Sequence, residues 1–94
     1  MKIKSLNVLG WVVKVVYKEI DNNYCGLFYA NESLIEINNT LSPEKAKETI
    51  LHELFHAAWI RAGIDQTGIS HDTQEIICEQ FAKVLCENFK ISKK

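Results

Sequence analysis

The sequence predicts an α+β domain: a small antiparallel β-sheet of about three strands, packed against two helices. Three observations predict it. The first third is rich in β-branched and aromatic residues broken by turn-forming ones. A Ser-Pro-Glu start opens a long amphipathic helical pattern at residue 42. A second helical pattern closes the chain after a short connector containing Gly68. With 94 residues, one domain over 1–94 is expected.

Leu6 to Ile20 carries Val8, Val12, Val13, Val15, Val16 and Tyr17 and reads as strand, with Gly10 placed to break or bend it. Asp21-Asn22-Asn23 is a turn. Tyr24 to Tyr29 supplies a second strand, weakened by Gly26. Asn31-Glu32-Ser33 turns the chain again. Leu34 to Asn38 gives a third strand, with Ile35 and Ile37 on one face and Leu34, Glu36 and Asn38 on the other. The connections are too short for crossover helices, so antiparallel pairing is the simplest expectation.

Ser42 caps the first helix, Pro43 fits its first position, and Gly63 ends it after Arg61 or Ala62. Ala46, Ile50, Leu54, Ala57 and Ala58 form its apolar stripe. The second helix runs from near Asp72, its expected cap, to about Phe89. Ile77, Phe81, Val84, Leu85 and Phe89 are its expected core contacts. The tail Ser92-Lys93-Lys94 is expected to be loose.

Composition narrows the function. The formal net charge of −1, from 11 basic and 12 acidic side chains, argues against a charge-driven nucleic-acid surface. No apolar run is long enough for a bilayer, and the first residues lack a signal-peptide core, so no membrane partner is expected. Three cysteines, Cys25, Cys78 and Cys86, do not make a disulfide framework and read as buried thiols in a reducing compartment. A cytoplasmic location is the expectation.

The chemistry sits in His52-Glu53-Leu54-Phe55-His56. On a helix the two histidines lie about 40° apart around the axis, one turn above the other. Both imidazoles can reach one ion, and Glu53 beside them can serve as general base toward an attacking water. A catalytic zinc ion (Zn2+) usually takes a third protein ligand. Glu75 is the preferred candidate, with Glu79 one turn on as a hydrogen-bond partner for a ligand histidine. The exchanged assignment, with Glu79 as ligand, stays open. So do plainer readings: Glu75 as N3 of a capping box begun by Asp72, and Glu79 as a solvent-facing carboxylate. His71, Tyr24 and Tyr29 are candidate donors to a developing oxyanion. Leu34 to Asn38 is a candidate edge for aligning an extended peptide. Trp59 is a candidate wall of the site.

Thr49-Ile50-Leu51-His52-Glu53-Leu54-Phe55-His56-Ala57 resembles the active-site helix of the gluzincin-like ImmA/IrrE metallopeptidases, including their compact phage-borne relatives. Glu75-Ile76-Ile77-Cys78-Glu79-Gln80-Phe81-Ala82 is similar to their later Glu-x-x-Ala helix, with Cys78 where alanine is usual. The resemblance spans about residues 33–86. It implies a minimal zincin-like fold, Zn2+ held by His52, His56 and Glu75, catalysis by Glu53, and an intracellular protein substrate such as a regulator. The alternative is a zinc-binding interaction module with weak or absent turnover. The helix-turn-helix domain of some relatives has no counterpart here, and no DNA-binding role transfers.

Overall fold

The computed structural model describes residues 2–89. Four strands and two α-helices form two layers: β1 (Ser5–Val8), β2 (Trp11–Lys18), β3 (Gly26–Tyr29), β4 (Leu34–Asn38), α1 (Pro43–Arg61) and α2 (His71–Asn88), with a 3-10 turn at Ile64–Gln66 between the helices. The class is the expected α+β, with one strand more than expected. The long valine-rich run is two strands, because Leu9 and Gly10 both adopt positive φ and make a two-residue hairpin.

The sheet is mixed, with order β1-β2-β4-β3. β1 and β2 pair antiparallel, as do β3 and β4, but β2 and β4 run parallel. That corrects the all-antiparallel expectation. A parallel pair needs a return segment, and here β3 is that segment, laid outside β4 in place of a crossover helix. Leu34 to Asn38 is therefore an interior strand, and β3 is an edge.

Ile35, Ile37 and Val13 are fully buried under α1, with Val8, Val15, Ile50 and Ala57 in the same core. Ala46, Leu54 and Ala58 pack against it from the α1 stripe. Burying such side chains stabilises the domain by about 1.5–3 kcal/mol each. Asn38 is also buried, and its amide is fully used. Nδ2 donates to the carbonyls of Ile20 and Tyr24 at 3.4 and 3.2 Å, and Oδ1 accepts from the Thr40 backbone and hydroxyl. It braces the loop leading into β3.

α1 has the expected limits, with Ser42 Oγ accepting from the Lys45 amide. α2 departs from expectation at both its cap and its buried face. Ser70, not Asp72, caps it: Ser70 Oγ accepts from the Thr73 amide at 3.1 Å. Its buried residues are Cys78 and Ala82, whereas Phe81, Val84 and Phe89 are more than half exposed. Small side chains let α2 lie close to α1, Ile77 and Leu85 are half-buried as expected, and Phe81 meets Phe55 of α1 edge-on at 6.0 Å between ring centres despite its exposure. The expected loose tail, Ser92-Lys93-Lys94, lies outside the described residues. No described helix is long and apolar enough to cross a membrane.

Candidate metal centre

The centre is assembled by the two helices. The register of α1 turns Ile50 and Ala57 toward the sheet. His52 and His56 then share a flank that meets α2. The Ser70 cap sets the first turn of α2, so Gln74, Glu75 and Cys78 face α1. With Ser70 as the cap, Glu75 lies beyond N3, and the capping-box role read from Asp72 does not apply.

His52 Nε2 and His56 Nε2 are 3.1 Å apart. Glu75 spans both: Oε1 is 3.2 Å from His52 Nε2, and Oε2 is 3.0 Å from His56 Nε2. Two imidazole nitrogens and a carboxylate thus converge on one point. Ligands bound tetrahedrally at about 2.0–2.1 Å, as to zinc, stand about 3.3 Å from one another. The observed edges of the triangle are close to that spacing, so the donor set is near enough to bind one metal ion. Nitrogen and oxygen donors of this kind suit zinc and related divalent ions.

Burial is the main perturbation of the titrating residues. Burial, reinforced by the Glu75 charge, pushes the Glu53 carboxyl up to about 7. Burial holds His56 below its ordinary value against the opposing pull of Glu75. Burial pushes the Cys78 thiol up to about 11, with Glu75 and Glu53 adding to the effect, so it stays protonated at neutral pH.

The centre opens into a cleft of about 720 Å³. One wall is Asn23 to Phe28, and the other comes from α1 and α2, with Glu53 among the lining residues. Cys25 O accepts from the Asn38 amide, so residues 25, 27 and 29 direct their backbone groups inward to β4. By alternation, the N–H and C=O of Gly26 and Phe28 point outward at the free edge. Gly26 lies against α1: a Cβ there would stand 2.7 Å from Thr49 Cγ2.

The other sequence candidates divide. His71 sits at the mouth, its Nε2 3.7 Å from Glu75 Oε2, and Tyr24 lies exposed on the rim. Tyr29 is elsewhere: its hydroxyl donates to Glu36 Oε1 at 3.2 Å, and it does not line the cleft. Glu79 borders the cleft but pairs with Lys83 at 3.3 Å, outside the converging triangle. Trp59 is buried and does not line the cleft. Leu34 to Asn38 is interior, so the exposed edge beside the site belongs to β3. Cys25 is exposed, unlike the buried thiol expected.

Gln74 was not among the sequence candidates. Its amide nitrogen Nε2 lies 3.0 Å from His56 Nδ1, where a partner for a ligand histidine was expected from Glu79. The available signal was helical spacing. Once Ser70 is the cap, Gln74, Glu75 and Cys78 form one inward-facing group. No family model, curated protein or solved structure matches the chain.

Proposed function

We propose that this chain is a zinc-dependent metallopeptidase of the ImmA/IrrE-like kind, hydrolysing a peptide bond in an intracellular protein substrate. The observation that carries the reading is the convergence of His52, His56 and Glu75 at mutual distances of 3.0–3.2 Å. Glu53 on the same helix turn and a free strand edge on the opposite wall support it.

His52, His56 and Glu75 would hold the ion. Zinc bound there supplies a water acidic enough to attack at neutral pH and polarises the scissile carbonyl. Glu53 accepts the proton released by the attacking water and passes it to the leaving amine. Its burial keeps its proton affinity near neutrality, which suits both transfers. The outward amide and carbonyl groups of Gly26 and Phe28 offer an extended peptide backbone a ladder along the cleft. His71 and Tyr24, at the mouth and rim, remain the oxyanion donors within this reading.

The test is zinc content and cleavage of a peptide library by wild type, Glu53→Gln and Glu75→Ala. Glu53→Gln should keep zinc and lose at least a hundredfold in cleavage, in the range expected for a general base. Glu75→Ala should lose zinc. Full zinc occupancy in Glu75→Ala would overturn the ligand assignment, and undiminished cleavage by Glu53→Gln would overturn the mechanism.

A second reading keeps the zinc site and drops turnover, leaving an interaction module. Ile76, Phe81 and Val84 favour it, since these large apolar side chains on α2 are 52–63% exposed. Zinc binding without cleavage by wild type, alongside saturable capture of a partner lost in Phe81→Asp, would support it.

A further inference from the structure

We propose that Gln74 is the positioning residue that orients His56 for metal binding, by accepting a hydrogen bond from the His56 Nδ1–H; this rests on His56 presenting Nε2 to a metal. A neutral imidazole offers a lone pair at one nitrogen only when its proton is on the other. His56 Nε2 faces His52 Nε2 and Glu75 Oε2 at 3.1 and 3.0 Å. The metal-binding tautomer therefore carries its proton on Nδ1, which needs an acceptor.

Two groups stand near that nitrogen. Gln74 Nε2 is 3.0 Å away, and Cys78 Sγ is 3.8 Å away. A protonated thiol at that range is a weak acceptor, whereas the Gln74 amide oxygen, turned into the place of its nitrogen, is a good one. Amide oxygen and nitrogen exchange places by a half-turn of the terminal group. Gln74 therefore serves either ring tautomer. Its oxygen accepts from Nδ1–H when Nε2 is free for a metal, and its NH2 donates to Nδ1 when Nε2 carries the proton. A carboxylate at 74 would hold only the first.

Adjacent residues on α2 thus grip one imidazole from both nitrogens, Gln74 at Nδ1 and Glu75 at Nε2. The grip is set by the first turn of the helix. The Gln74 amide N–H donates to the Ser70 carbonyl at 3.0 Å, and the Ser70 side chain caps the same turn. Both residues inherit their register from that cap.

The test is zinc affinity, by competition with a chromogenic chelator, for wild type, Gln74→Leu, Gln74→Glu and Glu75→Ala. Nitrogen-resolved NMR of His56 reports the tautomer in the same samples. Gln74→Leu should weaken zinc binding about 10–100-fold, as lost outer partners do. Gln74→Glu should restore or exceed wild-type affinity. His56 should carry its proton on Nδ1 in zinc-loaded wild type. Metal-free Gln74→Glu should shift His56 toward the Nδ1–H tautomer relative to metal-free wild type, and the circular dichroism of Gln74→Leu should stay native.

Zinc binding by Gln74→Leu within threefold of wild type overturns the proposal, even if Gln74→Glu binds more tightly through its added charge. A His56 tautomer in metal-free Gln74→Glu identical to that of metal-free wild type overturns it as well. No zinc binding by wild type, at a level Glu75→Ala also shows, overturns instead the metal-site reading beneath it.

Discussion

Gly26 lets the edge strand approach the helix that carries His52 and His56, and replacing it with alanine measures how closely the two are held. The added Cβ would lie 2.7 Å from Thr49 Cγ2, 3.0 Å from the Glu36 carbonyl oxygen and 3.3 Å from Ile37 Cδ1. Carbon atoms pack best at about 3.5–4.0 Å. Thr49 is buried, and its hydroxyl donates to the Lys45 carbonyl at 2.8 Å, so its methyl cannot swing aside without breaking that bond. The Glu36 oxygen belongs to an interior strand. Overpacking of this kind costs about 1–3 kcal/mol. Alanine recovers about 0.4–1 kcal/mol by restricting the unfolded chain. The net loss should be about 1–2 kcal/mol, or roughly 5–15 °C in Tm for a domain of this size. Urea unfolding should show a lower midpoint at unchanged m. Thr49→Ser removes Cγ2 and keeps the hydroxyl, so the Gly26→Ala/Thr49→Ser pair should regain about 1 kcal/mol in a double-mutant cycle. Wild-type stability in Gly26→Ala, or no recovery in the pair, would refute the close approach.

Three further outcomes follow from the same geometry. Ser70→Ala should cost about 1 kcal/mol by leaving the first turn of α2 uncapped, and zinc affinity should fall with it because Gln74 and Glu75 lose their register. Ile35→Ala should cost about 2–5 kcal/mol in urea unfolding, whereas Ile76→Gln, on the exposed face of α2, should stay within about 0.5 kcal/mol. In metal-free protein, Glu53 titrates near 7 when folded against 4.5 in the reference state, so the folded state binds more protons between those values. Unfolding free energy should then fall as pH rises from about 4.5 through 7, by up to about 3 kcal/mol for the 2.5-unit difference. His56, held low, pulls the other way. The difference between wild type and Glu53→Gln isolates the carboxyl, and parallel pH curves for the two would refute the shift.

The parts of the fold written in local chemistry were legible. Ser42, Pro43 and Gly63 mark α1 because caps and helix breakers act within one turn, and the Ile50 and Ala57 stripe repeats at the helix period. The same periodicity put His52 and His56 on one flank. Strand order was not legible, because the pairing of β2 with β4 depends on β3 crossing to the far edge, and no short-range signal records it. The inward face of α2 was misread for a different reason. Ile77 and Leu85 are half-buried and Phe81 meets Phe55 of α1 edge-on, but Val84 points outward and the two fully buried positions are small. Cys78 and Ala82 allow the helices to approach, and Gln74 and Glu75 occupy positions that a purely structural helix would fill with leucine.

All three converging donors lie between residues 52 and 75, on a single helical hairpin, and the sheet contributes none. The segment joining the two helices, residues 62–70, is short, and loops of ten or so residues close in about 10–100 ns. The parallel β2–β4 pairing joins more distant segments and must wait for β3 to find its place. The converging donors are therefore joined by one local loop, whereas β2 and β4 are joined by a longer connection. The sheet edge facing the triad can then change its sequence without altering the residues that converge.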